Sequence, residues 1–390
     1  MRRPLIIVAS GLIAIVGILY GGFRIAANHL AGRLQAKAAE AQSGVREWAS
    51  KGRDPSAVVA VLQQVKPALD AGETRKAEVL LDQALQMLRT AAQPGDQSPL
   101  PVYNGVEETS DLYIRPQAVL IEGYDGSAME PFIAPDGRYL LLNNENDPAV
   151  NTNVHFAERT GKRSFRYLGE LPGVNSAVLD AVPSMDRSAH FFFTTLRDYD
   201  RTGNSIFTGD FDGKSVSHVR PAPGDISPGT PGSINMDVSI SPDGETLYIS
   251  RALIFPGAPA PKKAELMVAR LRDGAFHIDP NSEALMRNVN TGALQYAPSI
   301  SADGLELYFT RASQVRGVRL MVATRNSVSE AFGEPRVLSA LTGFVEAPTI
   351  TLDGGELFYH KRVGQKYVIY RAERRTRRPT DILPGNRRPY

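Results

Sequence analysis

The chain has 390 residues, 42% of them hydrophobic and 22% charged, with a formal net charge of +2. That length buries a large core and suggests more than one domain. The composition argues against a disordered, collagen-like or polytopic membrane chain, and the near-neutral balance against a dedicated nucleic-acid binder. Cysteine is absent, so disulfides, thiolate-bound zinc, iron–sulfur clusters and thiol catalysis are all excluded.

In chain order, Arg2 and Arg3 precede an uncharged run from Pro4 to Phe23. As a helix rising ~1.5 Å per residue it spans the ~30 Å hydrocarbon core of a bilayer, longer than the ~7–15 apolar residues of a cleavable signal. The expectation is an uncleaved signal-anchor over 1–23. Arginines flank it on both sides, so the charge count does not orient it; a short N-terminal flank places the bulk of the chain in the periplasm, on the inner membrane. A cleaved, soluble periplasmic form is the alternative, with Ala36-Lys37-Ala38 as the small-residue site.

Residues 24–95 read as a helical stalk: a solvated Ala-, Gln- and Arg-rich stretch to about residue 50, then a two-helix hairpin. Asp54 and Pro55 start the first helix. Val58, Leu62, Val65 and Leu69 give it an apolar stripe, and Pro67 weakens its last turn. GETRKAEVLLDQAL resembles a single tetratricopeptide-type helix. QPGDQSPLP (93–101) is a linker, and the third domain runs from 96 to 390.

That domain repeats itself. EPFIAPDGRYLLL, VPSMDRSAHFFFTT, DVSISPDGETLYIS, APSISADGLELYFT and APTITLDGGELFYH align on Pro131, Pro183, Val238, Pro298 and Pro348, at spacings of 52, 55, 60 and 50 residues. Four copies carry Asp-Gly, which supplies the positive φ of a hairpin turn; the second has Ser188-Ala189 instead. An apolar strand follows each turn, then a third strand such as RLMVATR and a fourth such as EPRVLSA. Strands recurring every ~55 residues predict an all-β propeller of five blades, each of about four strands. IRPQAVLIE (114–122) is expected as the edge strand that closes the ring. The S-P-D-G-x-x-L-Y set resembles the WD-like repeat of the TolB family of bacterial envelope propellers, over about residues 116–375. The resemblance implies the fold and a non-enzymatic binding or scaffolding role; the repeat itself is specific for fold and not for function, because its Asp-Gly is a turn device.

In a propeller the first strand of each blade lines the channel and starts on one face, to which the second strand returns. Two polar sets are expected at that mouth: Glu130, Asp180, Asn235, Asp237, Gln295 and Glu346, and Arg197, Arg251, Arg311 and Lys361. Asp237 and Arg251 are expected to be cross-strand neighbours. The two sets either pair with each other or form a pocket for a small ligand, a cation or a segment of an envelope protein. Carboxylates drawn from Glu130, Asp180, Asp237 and Glu346 also define the alternative, a glycoside hydrolase, since two of them ~5–10 Å apart suffice and five-bladed propellers include arabinanase- and invertase-like enzymes. Against it, the only tryptophan, Trp48, lies outside the propeller.

Asp198 and Asp200 match the first positions of an EF-hand, but Gly209 stands where the twelfth position needs a bidentate Glu. GDFDGKS falls one residue short of a phosphate loop, and neither G-x-S-x-G nor H-E-x-x-H occurs. No cofactor is expected. The histidines are scattered, and His360, beside Lys361, is expected as an exposed or half-buried rim residue. Arg371, Arg374, Arg375, Arg377, Arg378, Arg387 and Arg388 predict a solvated basic tail, or contact with anionic lipid.

Overall fold

The structure, a computed structural model, describes residues 29–50, 56–89, 100–144, 151–229, 232–253, 261 and 263–375. The expected anchor at 4–23, most of the Pro-rich insertion at 254–263 and the arginines beyond 375 lie outside the described residues. Among the described residues no helix is long and apolar enough to cross a membrane. Contacts divide the chain into a helical unit and a unit that begins at Ser98.

In the helical unit, α1 (His29–Ser50), α2 (Ser56–Gln63), α3 (Val65–Asp70) and α4 (Thr74–Arg89) share one apolar core. The stretch before residue 50 is therefore not simply solvated. Its small residues Ala38, Ala41 and Val45 are buried with Leu81, Ala84 and Leu85. A Cβ on Gly44 would come within 2.7 Å of Leu88, so α1 carries a glycine at its closest approach to α4. Pro67 acts one turn earlier than expected. It has no N–H for the carbonyl of Gln63, and the helix breaks at Gln64 into α2 and α3.

The second unit opens with three short strands, β1 (Glu108–Ser110), β2 (Tyr113–Ala118) and β3 (Leu120–Glu122). Five antiparallel blades follow. Blade one is β4 (Met129–Ile133), β5 (Tyr139–Asn143), β6 (Val154–Arg159) and β7 (Ser164–Glu170); blade two is β8 (Asp180–Met185), β9 (His190–Thr195), β10 (Ile206–Phe211) and β11 (Val216–Pro221). Blade three is β12 (Ser233–Ile240), β13 (Thr246–Leu253), β14 (Lys263–Arg272) and β15 (Ala275–Ile278); blade four is β16 (Leu294–Ile300), β17 (Glu306–Ser313), β18 (Gly317–Thr324) and β19 (Arg336–Leu338). Blade five has β20 (Val345–Ile350), β21 (Glu356–Val363) and β22 (Lys366–Arg374), and takes its fourth strand from β2. The inner strands touch in the order β4, β8, β12, β16, β20 and back to β4, so the ring is closed.

The segment expected to close the ring does so, but across two blades. β2 pairs antiparallel with β22 of blade five. The Val119 amide donates to Ile369 O at 2.8 Å, and β3 then runs parallel to β7 of blade one. β1 lies parallel to β19 of blade four. The strap thus covers outer edges of three consecutive blades, which removes sheet edges that would otherwise be open to pairing.

The turns explain the repeat. In the four Asp-Gly copies the glycine holds φ between +67° and +79°, and the aspartate Oδ1 accepts the amide two residues on, as in Asp243 with Glu245 at 3.0 Å. Blade two has a shorter turn. Asp186 occupies the serine position and its Oδ1 accepts the amides of Ser188 and His190 at 2.8 and 2.9 Å, while Ala189 adopts the left-handed φ of +65°. Aromatic edges close the seams between blades: Tyr139 on Phe211, Phe192 on Phe276, Tyr113 on Tyr308 and Phe165 on Phe358, with ring centroids 5.4–6.2 Å apart. Arg371 and Arg374 belong to this core and not to a solvated tail. Arg371 is fully buried and donates to Glu356 at 2.6 Å, and Arg374 forms a two-pronged pair with Glu306.

Candidate functional site

Every inner strand begins with a β-bulge, at which the ladder to the second strand slips register. In four blades the residue before the proline takes a left-handed backbone: Glu130, Val182, Ala297 and Ala347, with φ of 47–54°. Blade three has Val238 in place of the proline, and Asp237 is not left-handed. A non-glycine residue with positive φ is uncommon and is held by its surroundings. The holding groups are side chains of the preceding blade. The Val182 amide donates to Asn143 Oδ1 at 3.3 Å, the Ala347 amide to Thr310 Oγ1 at 3.0 Å, the Ala297 amide to Asp237 Oδ2 at 3.0 Å and the Glu130 amide to His360 Nδ1 at 3.1 Å. Asn143, Thr310 and His360 are the last residues of the strand-two motif in their blades. The matching Thr194 faces the blade without the proline, and its buried hydroxyl has no partner.

The bulges aim three carboxyl groups of the expected set at one another: Glu130 of blade one, Asp237 of blade three and Glu346 of blade five. Glu130 is 9% exposed and lines the central cavity, and its carboxyl group has no hydrogen-bond partner among the described residues. Burial, then the charges of Asp237 and Glu346, hold its pKa well above the ordinary carboxyl range. Asp237 is pushed up to about 6: burial raises it, the Ala297 amide and the Ser250 hydroxyl pull it back, and Glu346 raises it again. Glu346 accepts from the Tyr296 hydroxyl on Oε1 and from His360 Nε2, 3.1 Å away, on Oε2. Tyr296 is held well above its ordinary pKa by burial and by the three acids around it.

His360 corrects the rim expectation: it is fully buried and links two members of the cluster. The tautomer follows from its partners. Nδ1 accepts the Glu130 amide, so it carries no proton, and Nε2–H donates to Glu346. A second proton would set N–H against N–H.

The remaining candidates are committed elsewhere. Asp180 accepts from Arg197 at 2.6 Å and from the Ser176 hydroxyl at 2.7 Å, and is not among the groups that perturb Glu130. Asp237 and Arg251 are not cross-strand partners. The hairpin is centred between Asp243 and Gly244, which sets Asp237 opposite Ser250, and the bulge then sets Asn235 opposite Arg251. Arg251 donates to Asn235 at 3.0 Å, and both bind the carbonyl of Ile226. Gln295 is buried and tied to Thr291. Arg311 is buried under the segment before β1, paired with Glu107 at 3.5 Å and lying over the Tyr103 ring. Lys361 lies over Tyr370. The EF-hand-like stretch folds as a helical turn, Tyr199–Thr202, in which the Asp198 carboxylate accepts from Arg201 and Thr202; Asp200 sits in the same turn. Among the described residues no three His, Cys, Asp or Glu side chains converge closely enough to hold a metal ion.

The mouth is therefore acidic and short of counter-charge, while the cavity beside Glu130, lined by the bulges of all five blades, holds about 30 Å³, the room of one water. On blades three and four, Leu100 of the linker packs against a buried cluster of Ile234, Ala252, Ala264, Leu294 and Ala312. Sequence reading supplied the three acids but missed Tyr296 and His360. The available signal was positional: His360 ends the strand-two motif where the other copies have Asn, Thr or Ser.

No protein-family model matches the sequence, and no curated protein matches it. Several solved structures are similar to the chain at low identity. TolB from Acinetobacter baumannii is similar over 77% of this chain and 69% of its own, at 14% identity and a TM-score of 0.36. A family 117 glycoside hydrolase from Zobellia galactanivorans is similar over 67% and 91%, at 11% identity and a TM-score of 0.46. The α-L-arabinofuranosidase of Podospora anserina covers 72% and 99%, at 12% identity and a TM-score of 0.41. The chain is a five-bladed β-propeller.

Proposed function

We propose that the chain is a non-enzymatic binding propeller of the cell envelope, tethered to the inner membrane by residues 4–23, whose channel mouth takes a cationic group on a partner segment or small ligand. One observation carries this reading: Glu130, Asp237 and Glu346 repel one another in a buried site, and the arginines expected beside them are spent on Asp180, Asn235 and Glu107. Buried carboxyl groups without a counter-charge gain most from an arriving cation. The acids lie close enough to perturb each other but do not converge as metal ligands, which favours an ammonium group over a bare divalent ion.

The hydrolase reading draws support from Glu130, whose carboxyl is held well above the ordinary range beside a second carboxyl group, since acid–base hydrolysis uses an acid raised in this way. It is the weaker of the two. Asp237 and Glu346 each accept hydrogen bonds, so neither stands as a free nucleophile or base.

The test is unfolding of the purified protein with N-acetyllysine amide, calcium and a panel of envelope glycans. A ligand at 100 times its Kd stabilises by about 2.7 kcal/mol. Stabilisation by the lysine probe that Glu130→Gln and Asp237→Asn abolish is the expected result. Stabilisation by a glycan, with its cleavage, would replace this reading with the hydrolase.

A further inference from the structure

A second feature lies at the seams between blades, on the face that carries the Asp-Gly turns. Three seams are keyed by an arginine at the end of a third strand, which reaches into the second strand of the preceding blade. Arg159 of blade one donates to Glu356 of blade five at 2.9 Å and lies over Phe358. Arg325, directly after β18 of blade four, donates to the Tyr248 hydroxyl of blade three at 2.9 Å and to Gly304 O at 2.8 Å. Arg374 of blade five grips Glu306 of blade four with two nitrogens and lies over Tyr113. The fold has thus filled this position three times with the same chemistry, a guanidinium between acceptors and aromatic rings.

Repeat alignment places Phe211 of blade two and Leu271 of blade three at the same position. In the seam between blades one and two, Phe211 meets Tyr139 edge to face, and an open pocket of about 260 Å³ remains beside them. A cavity of about 150 Å³ already accepts a benzene-sized guest. Tyr139 stands where Glu306 and Glu356 receive their arginines. It is 7% exposed, lines this pocket, and its hydroxyl has no hydrogen-bond partner among the described residues. Asp136, Asp186 and Asp212 line the same space; the Asp186 carboxylate accepts from Ser188 and His190 and that of Asp212 from the Lys214 and Ser215 amides, so Asp136 is the acid nearest to free. Two cations border it as well: Arg138, whose guanidinium pairs with Glu158 at 2.8 and 3.0 Å and lies over one face of the Tyr139 ring, 5.0 Å from its centroid, and Arg187, which is exposed.

We propose that the pocket between blades one and two binds a guanidinium group, supplied by an arginine from outside the chain in the place that Arg159, Arg325 and Arg374 fill in the other seams. This site is independent of the channel mouth, and neither depends on the other being correct.

The test reads the amide resonances of Phe211, Asp212 and Gly213 in the full chain during titration with N-acetylarginine amide, free arginine and N-acetyllysine amide. Local reporters exclude binding at the mouth. Saturable shifts with the arginine probes are expected, tighter than with the lysine probe. Tyr139→Phe, which keeps the ring and removes the acceptor, should weaken arginine binding about threefold to tenfold, the worth of one hydrogen bond. Tighter binding of the blocked probe than of free arginine identifies a peptide as the source, and the reverse order identifies the free amino acid; both support a guanidinium site. Phe211→Arg, which places a guanidinium in the seam from within, should abolish binding; should that variant fail to fold, Tyr139→Phe decides. No seam-local shift, equal affinity for the arginine and lysine probes, or arginine affinity unchanged in both Tyr139→Phe and Asp136→Asn would overturn the proposal.

Discussion

Asp237→Asn is the substitution that most sharply separates a strained acidic mouth from an ordinary structural one. Asp237 is 4% exposed, and its carboxyl is raised from an ordinary 3.8 to about 6. At about 1.4 kcal/mol per pH unit, that rise corresponds to about 3 kcal/mol. The native state holds the proton more tightly than the unfolded chain, so this stability is fully present below pH 4 and is lost as the pH rises through 6. Asparagine keeps an oxygen for the Ala297 amide, which Asp237 accepts at 3.0 Å, and removes the charge. The variant should therefore match the wild type near pH 4 and exceed it by up to about 3 kcal/mol at pH 8. The assay is urea unfolding of both proteins at the two pH values. A variant less stable than the wild type at pH 8, by as much as at pH 4, would refute the reasoning and show that the charge is compensated.

Glu130→Gln should behave likewise, with a gain that keeps growing to higher pH because Glu130 is raised well above the carboxyl range, and it has no hydrogen bond to lose; unfolding across pH 5–9 checks this. His360→Ala strips the Glu130 amide and a Glu346 oxygen of their partners and should destabilise by about 2–5 kcal/mol in denaturant unfolding; a loss below about 0.5 kcal/mol would mean that water replaces the ring. The ¹⁵N shifts of His360 should report a protonated Nε2 and an unprotonated Nδ1. Arg374→Met should cost about 2–3 kcal/mol by leaving Glu306 with only the Tyr308 hydroxyl, read as a lowered urea midpoint.

The ring was legible because its repeat is built from local necessities. Each Asp-Gly turn and the apolar strand after it announce themselves without reference to the rest of the chain, and their spacing counts the blades. The shortened turn of blade two was visible as a departure, but Asp186 taking over the serine position was not, because a carboxylate there keeps the same amides by a different residue count. At the mouth, the sequence brought Glu130, Asp237 and Glu346 to one face but could not sort them from Asp180, whose partners Ser176 and Arg197 come from the same blade. The pairing of Asp237 was missed by one residue because the hairpin is centred between Asp243 and Gly244, and the bulge beyond Asp237 then gives Arg251 to Asn235. Arg311 was taken as a rim group because nothing in its own blade reveals that Glu107, two hundred residues earlier, covers it. The arginine keys were hidden for the same reason: each joins two blades, and one of them, Arg374, sits among residues that read as the start of a basic tail.

The most direct test of the mouth as a cation site is the proton balance of binding. An ammonium group entering beside Glu130 and Asp237 must displace the protons those acids hold near pH 6. Calorimetric titration with N-acetyllysine amide at pH 6, repeated in buffers of different ionisation enthalpy, counts them. Net release of protons, reduced in Glu130→Gln and in Asp237→Asn, is the result expected of a cation-binding mouth. Binding without proton release, or release that both variants leave unchanged, would contradict it.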